Sequence, residues 1–161
     1  MKSIKYPKFV TKYVARHVII RETMSLGRPG YEALSPIFHV KIGMILYQGP
    51  FNNALELYSF QVLERYQQHG IGRKLLSCVV NLALQEGMSQ IYVAPAPCTD
   101  LKDPEHCCTT DILEKIYEKY GFEKRHDDKQ TSGPKFYFLN SEKFSCFETK
   151  PLSEHTHDVE E

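Results

Sequence analysis

The chain has 161 residues, 20 of them Lys or Arg and 20 Asp or Glu, so its formal net charge is zero; 42% are hydrophobic. That length suits one domain with a real core and is short for two, and the balanced charge excludes the bulk field of a dedicated nucleic-acid binder. The five cysteines, Cys78, Cys98, Cys107, Cys108 and Cys146, are odd in number and lack the paired spacing of a disulfide framework or zinc ribbon, which points to a reducing compartment.

At the amino end, Met1-Lys2-Ser3-Ile4-Lys5 runs into Tyr6-Pro7-Lys8 without the apolar centre of a secretory signal. No apolar run approaches membrane-spanning length, so no membrane partner is expected. The expected location is the cytoplasm, with the nucleus left open. Tyr13 to Arg21 reads as a strand through Val14, Val18, Ile19 and Ile20, and Leu26-Gly27-Arg28-Pro29-Gly30-Tyr31 as a turn cluster in the loop that follows. His39 to Tyr47 is a second strand, Gln48 to Asn53 a second turn cluster, and Ala54 to Val62 a third strand forming a hairpin with the second.

Gly70 to Glu86 carries Ile71, Leu75, Leu76, Val79, Val80 and Ala83 at helical spacing, with Gly87 as its stop. Gln90 to Ala94 is a short buried strand, and Pro95-Ala96-Pro97 opens a long loop to about Thr109. A second helix follows, capped by Asp111 or a preceding Thr, with Ile112, Leu113, Ile116 and Tyr117 on one face and Gly121 beyond its end. Phe122 to His126 and Lys135 to Leu139 read as closing strands. One domain over 1–147, with its motif-bearing core at 54–139, and a polar disordered tail over 148–161 are the expected organisation. The element order suits an α/β (α+β) mixed sheet flanked by helices. It does not suit a doubly wound nucleotide fold, which needs more alternations and Gly-x-Gly-x-x-Gly.

Between the third strand and the first helix lies the chemistry-bearing segment, Val62-Leu63-Glu64-Arg65-Tyr66-Gln67-Gln68-His69-Gly70-Ile71-Gly72-Arg73-Lys74. Two glycines one residue apart let backbone approach a ligand, and the new helix offers unpaired N–H groups and the positive end of its dipole to an anion. Arg73 and Lys74 add positive charge. A Walker loop is absent, since no Gly-Lys-Ser or Gly-Lys-Thr occurs.

Gln67-x-x-Gly70-x-Gly72, then Ile91-Tyr92-Val93, then Tyr117-Glu118-Lys119-Tyr120-Gly121-Phe122 resemble, in content and order, the GNAT superfamily of acetyl-CoA-dependent N-acetyltransferases. The first fits that family's Arg/Gln-x-x-Gly-x-Gly/Ala pyrophosphate loop and the last its Tyr-x-x-x-Gly-Phe signature. The resemblance covers roughly Ala54 to Leu139. It implies a mixed, mostly antiparallel, splayed sheet with CoA in the V between two core strands. The residues it assigns to CoA are Val62, whose backbone would pair with the pantetheine arm, Gln67, Gln68, His69, Gly70, Ile71, Gly72, Arg73 and Lys74 around the pyrophosphate, and Thr110, which stands where the family often has Asn. The chain also has Glu64 where the family often has Pro, and a short segment before Ala54.

The same resemblance assigns Tyr117 to the group that stabilises or protonates the CoA sulfur, and Glu56, eleven positions before Gln67, to the general base. The plain alternatives are a core-facing helical aromatic and a solvent-facing strand carboxylate. Tyr58 and Tyr120 are fallback acids or packing groups. His106-Cys107-Cys108 with Cys98 lacks a closed four-ligand pattern, so no metal is expected. The expected activity is acetyl transfer from acetyl-CoA to a primary amine by direct attack in a ternary complex, on a small molecule or on a protein lysine or N-terminus. A non-catalytic acyl-CoA-binding or regulatory module is the alternative, and a homodimer stays open.

Overall fold

The computed structural model of the protein describes residues 8–94, 110–125 and 136–147. In chain order these form α1 (Lys8–Arg16), β1 (Ile19–Ser25), β2 (Arg28–Leu34), β3 (Lys41–Phe51), β4 (Ala54–Val62), α2 (Ile71–Gln85), β5 (Gln90–Val93), α3 (Thr110–Lys119), β6 (Glu123–Arg125) and β7 (Phe136–Asn140). Short 3-10 segments cover Glu64–Tyr66 and Ser141–Phe147. The strands make one seven-stranded sheet in the order β1-β2-β3-β4-β5-β7-β6. Neighbours are antiparallel throughout except β4 and β5, which are parallel and joined through α2 as a crossover.

The amino-terminal third differs from the expectation. Tyr13 to Arg16, read as the start of a strand, closes helix α1, and the strand begins only at Ile19. The missed signal is Phe9, Val10, Tyr13 and Val14, a helical repeat that a window opening at Tyr13 cuts in half; it buries Val14 and Ala15. The turn cluster shrinks to Leu26-Gly27, both at positive φ, which suits a two-residue hairpin turn. Pro29, Gly30 and Tyr31 lie inside β2, which pairs with β1 on one side and β3 on the other. Likewise β3 runs on to Phe51, and its hairpin to β4 turns on Asn52-Asn53, again at positive φ.

From Ala54 onward the elements follow the sequence pattern. All six apolar positions read on the first helix are buried, at 0–1% exposure. Gly87 ends the run, with the Met88 amide donating back to the Ala83 carbonyl at 2.8 Å. One hydrophobic cluster joins this face to Ile45, Leu55, Leu57, Ile91 and Leu139 of the sheet, Tyr117 of α3, and Phe144 and Phe147 of the last 3-10 segment. Among the described residues, no helix is long and apolar enough to cross a membrane. The 95–109 loop, with Cys98 and His106-Cys107-Cys108, and the 148–161 tail lie outside the described residues.

What shapes the site is how β4 leaves β5. The two pair only at Ala54–Gln90, Leu55–Ile91 and Glu56–Tyr92. Two residues on, the register with β3 slips from Leu57 opposite Tyr47 to Ser59 opposite Leu46, so Tyr58 is an extra residue on β4. A bulge bends and twists its strand. Past it β4 runs on to Val62 without a β5 partner among the described residues, which leaves a V whose crotch is the Glu56–Tyr92 pair.

Candidate active site

The backbone of β4 beyond the bulge supplies one wall of the V. The Leu63 amide donates to the Ile42 carbonyl, toward β3. Because successive residues of a strand direct their amide groups to opposite edges, those of Val62 and Phe60 are directed away from β3, toward the splay. The Val62 carbonyl already accepts the Gln67 side-chain amide at 2.9 Å. Gln67 thus ties the start of the loop to the end of β4 rather than extending into it.

Gln68 (φ 63°) and Gly70 (φ 85°) then turn the chain into α2 through left-handed conformations. Gly70 is the N-cap, and no side chain caps the helix. The first intrahelical bond is that of the Lys74 amide to the Gly70 carbonyl, at 3.1 Å. The amides of Ile71, Gly72 and Arg73 therefore stand at the positive end of a 15-residue helix without an intrahelical acceptor. The two glycines serve different ends. At Gly70 a Cβ would meet open space, so the left-handed φ is what calls for glycine there; at Gly72 a Cβ would lie 2.9 Å from the Tyr120 hydroxyl and 3.4 Å from Phe60 Cζ.

The charged side chains beside this turn are engaged in holding the fold. Lys74 Nζ donates to the carbonyls of Ala15 (3.1 Å) and Arg16 (3.4 Å), a positive group at the negative end of α1. Arg73 donates to the Cys146 carbonyl at 2.8 Å and lies 4.9 Å over the Phe147 ring, pinning the last 3-10 segment to α2. The Ile71 side chain is buried in the core, and Gln68 and His69 are exposed. At this turn the structure brings together backbone donors with two cationic side chains already bound to carbonyls. Thr110 opens α3.

The two residues assigned to chemistry lie on opposite faces of the sheet. Leu55 and Leu57 join the core beneath α2, so Glu56 between them faces the other way. Its Oε2 accepts from Gln48 Nε2 at 2.7 Å and from the Tyr92 hydroxyl at 3.4 Å. Burial, then the Glu56 charge and the bond to it, hold the Tyr92 phenol above its usual range, which keeps it protonated as a donor. Tyr92 in turn stacks on Phe138, centroids 5.8 Å apart. Tyr58 is exposed on β4, with the Arg28 guanidinium 3.6 Å over its ring.

Tyr117, on the helix-covered face, is 5% exposed. Its ring packs 5.3 Å from Phe122 and 6.3 Å from Phe60, the β4 residue that flanks the splay. Burial, with a smaller contribution from Tyr120, pushes its phenol far above the usual value. It is thus a neutral hydrogen-bond donor across the physiological range and never a base. Tyr120 is half-buried against Phe60 and the first turn of α2. Burial raises its phenol, opposed by the Arg73 charge.

A donor with an anionic pyrophosphate, an amide-rich arm and a reactive thioester fits this arrangement in its parts. The uncapped start of α2 suits the anion, the outward backbone of β4 suits the amides, and Glu56 lies in the last row where β4 and β5 pair. Sequence reading missed Gln48 and Arg28. They sit far from the motifs, and only strand register brings them to Glu56.

Residues 39–102 match the model of the acetyltransferase (GNAT) family. A comparison with curated protein sequences gave no significant match. Among solved structures, the chain is similar to a GNAT-family acetyltransferase from Staphylococcus aureus (TM-score 0.54, 19% identity, covering 70% of this chain and 67% of that one). It is also similar to a Bacillus anthracis protein solved with acetyl coenzyme A (0.51, 20%, 70% and 62%), of which it spans less than two thirds. A third is a Bacillus subtilis acetyltransferase solved with CoA (0.51, 14%, 76% and 98%). The Gln67-to-Gly72 turn lies inside the family match, and the open, mostly antiparallel seven-stranded sheet flanked by helices is the fold of these GNAT neighbours.

Proposed function

We propose that the protein is an N-acetyltransferase that moves the acetyl group of acetyl-CoA to a primary amine by direct attack in a ternary complex. The observation that carries this reading is the position of Glu56, a carboxylate in the last row paired before β4 and β5 part. The uncapped start of α2 supports the same reading by offering the donor's pyrophosphate its backbone amides.

In the reaction the neutral amine attacks the thioester carbonyl carbon, a C–N bond forms, the C–S bond breaks and CoA leaves as the thiolate. The amine must shed a proton, which Glu56 takes directly or through one water. The thiolate needs one, or a hydrogen bond in its place, which the neutral Tyr117 phenol supplies. Val62, Gln67, Gln68, His69, Gly70, Ile71 and Gly72 form the donor cradle mainly through backbone, and Thr110 borders it from α3. Arg73 and Lys74 contribute their amides and a positive field, their side chains being tied to carbonyls. The need for acetyl-CoA and the unpaired cysteine pattern together favour the cytoplasm.

The test is acetyl-CoA consumption over a library of amines, run with the wild type, Glu56→Gln and Tyr117→Phe, beside calorimetric titration with CoA and with ATP. Turnover with at least one amine, lost about a hundredfold or more in each variant while CoA affinity holds, is expected. CoA binding without turnover would replace this reading with an acyl-CoA-binding module. ATP binding without CoA binding would overturn it.

A further inference from the structure

Glu56 belongs to a row of side chains that strand register lines up across the outer face of the sheet. Gln48 stands opposite Glu56 in the β3–β4 pair, Tyr92 opposite Glu56 in the β4–β5 pair, and Phe138 opposite Tyr92 in the β5–β7 pair. Extending the β2–β3 register two residues beyond Gly30–Leu46 sets Arg28 opposite Gln48. Arg28 Nε donates to Gln48 Oε1 at 2.9 Å. Arg28 itself is anchored by the Leu26 carbonyl at 3.2 Å and by the Tyr58 ring.

The direction of this chain follows from chemistry. A guanidinium can only donate, so it fixes the oxygen of the Gln48 amide toward itself. The amide nitrogen is thereby aimed at the other neighbour, and an ionised carboxylate can only accept. Arg28 thus decides the orientation of Gln48, and Gln48 decides which way Glu56 is held. Both donors to Glu56, Gln48 and Tyr92, engage Oε2, leaving Oε1 for a substrate proton.

Resting on the reading of Glu56 as proton acceptor, we propose that Gln48, oriented by Arg28, is a positioning residue that holds the Glu56 carboxylate by one oxygen at the crotch of the V. Its side chain never touches the reacting atoms. Its effect is on the rate of the transfer step and not on donor binding. A role in sheet stability alone would act equally whether or not residue 56 is a carboxylate.

The experiment compares Gln48→Leu, Arg28→Met, Glu56→Gln and the double variant Gln48→Leu/Glu56→Gln with the amine that gives the highest rate in the acceptor library. Gln48→Leu is expected to lower kcat about ten- to a hundredfold, leaving the KM for acetyl-CoA and the Tm unchanged. Arg28→Met should give a smaller loss of the same kind. In the Glu56→Gln background Gln48→Leu should cost nothing further. Wild-type kcat in Gln48→Leu, or an equal loss in both backgrounds, overturns the positioning role while leaving Glu56 in place. Undiminished turnover in Glu56→Gln, or no turnover with any amine, removes the underlying reading and the proposal with it.

Discussion

Replacing Tyr117 with Phe separates two consequences of burying a phenol. The ring fills the space between Phe60 and Phe122, and Phe keeps that ring, so at pH 7 only the hydroxyl's interactions are lost, about 1 kcal/mol. At high pH the sign reverses. The folded phenol is held far above its ordinary value, so the stability it contributes is fully present below the unfolded value of about 10 and is lost as pH climbs from there through the raised folded value. In that window the unfolded chain releases a proton that the folded one keeps, and stability falls by about 1.4 kcal/mol per pH unit for this group. Denaturant unfolding at pH 7, 10 and 11 should therefore show a smaller alkaline loss in Tyr117→Phe, by about 1 kcal/mol between pH 10 and 11, the unfolded phenol being half ionised at the start of that interval. Tyr31, Tyr47, Tyr92, Tyr120 and Tyr137 are raised in the same direction and steepen the loss in both proteins equally. Identical pH dependence in the two proteins would refute the argument from burial. Unchanged acetyl transfer in the variant would refute the proton-donor role independently.

Two further outcomes follow from the helix start and from α1. Gly72→Ala should destabilise the wild type, because its Cβ meets the Tyr120 oxygen at 2.9 Å. In a Tyr120→Phe background the same change should stabilise by up to about 1 kcal/mol, the helix-propensity gain; the same shift in Tm in both backgrounds would sink this account of Gly72. Lys74→Met removes the ammonium from the carbonyls of Ala15 and Arg16, at a cost of about 1 kcal/mol. Hydrogen exchange should then quicken in α1 and not in α2, and uniform exchange across both helices would contradict the local tie.

What could be read from the residues themselves is what depends on local pattern. The apolar face of α2 repeats at helical spacing over more than three turns, Gly70 and Gly87 mark its ends, and β4 was bounded at Ala54 and Val62 by turn residues. The Gln67-to-Gly72 turn and the Tyr117-to-Phe122 signature carried the resemblance to the GNAT superfamily because each is contiguous. The amino-terminal third was harder, since α1 spans nine residues with a short apolar stripe and β2 holds Pro29 and Gly30 inside a paired strand. There, pairing partners outweigh turn propensity.

The tertiary structure alone decided what surrounds the two chemical residues. The bulge at Tyr58, visible only as a slip of register, follows directly on the last row where β4 and β5 pair, which sets Glu56 at the edge of the opening. Register likewise sets Gln48 and Arg28, eight and 28 positions earlier in the chain, beside Glu56. Arg73 and Lys74, which look in the sequence like free charges at an anion site, are bound to the carbonyls of Cys146, Ala15 and Arg16. Local sequence fixes which backbone turns and helix starts can form, because those depend on a few neighbouring dihedrals. Which side chains meet across the sheet depends on register summed over several strands, and no single segment contains that information.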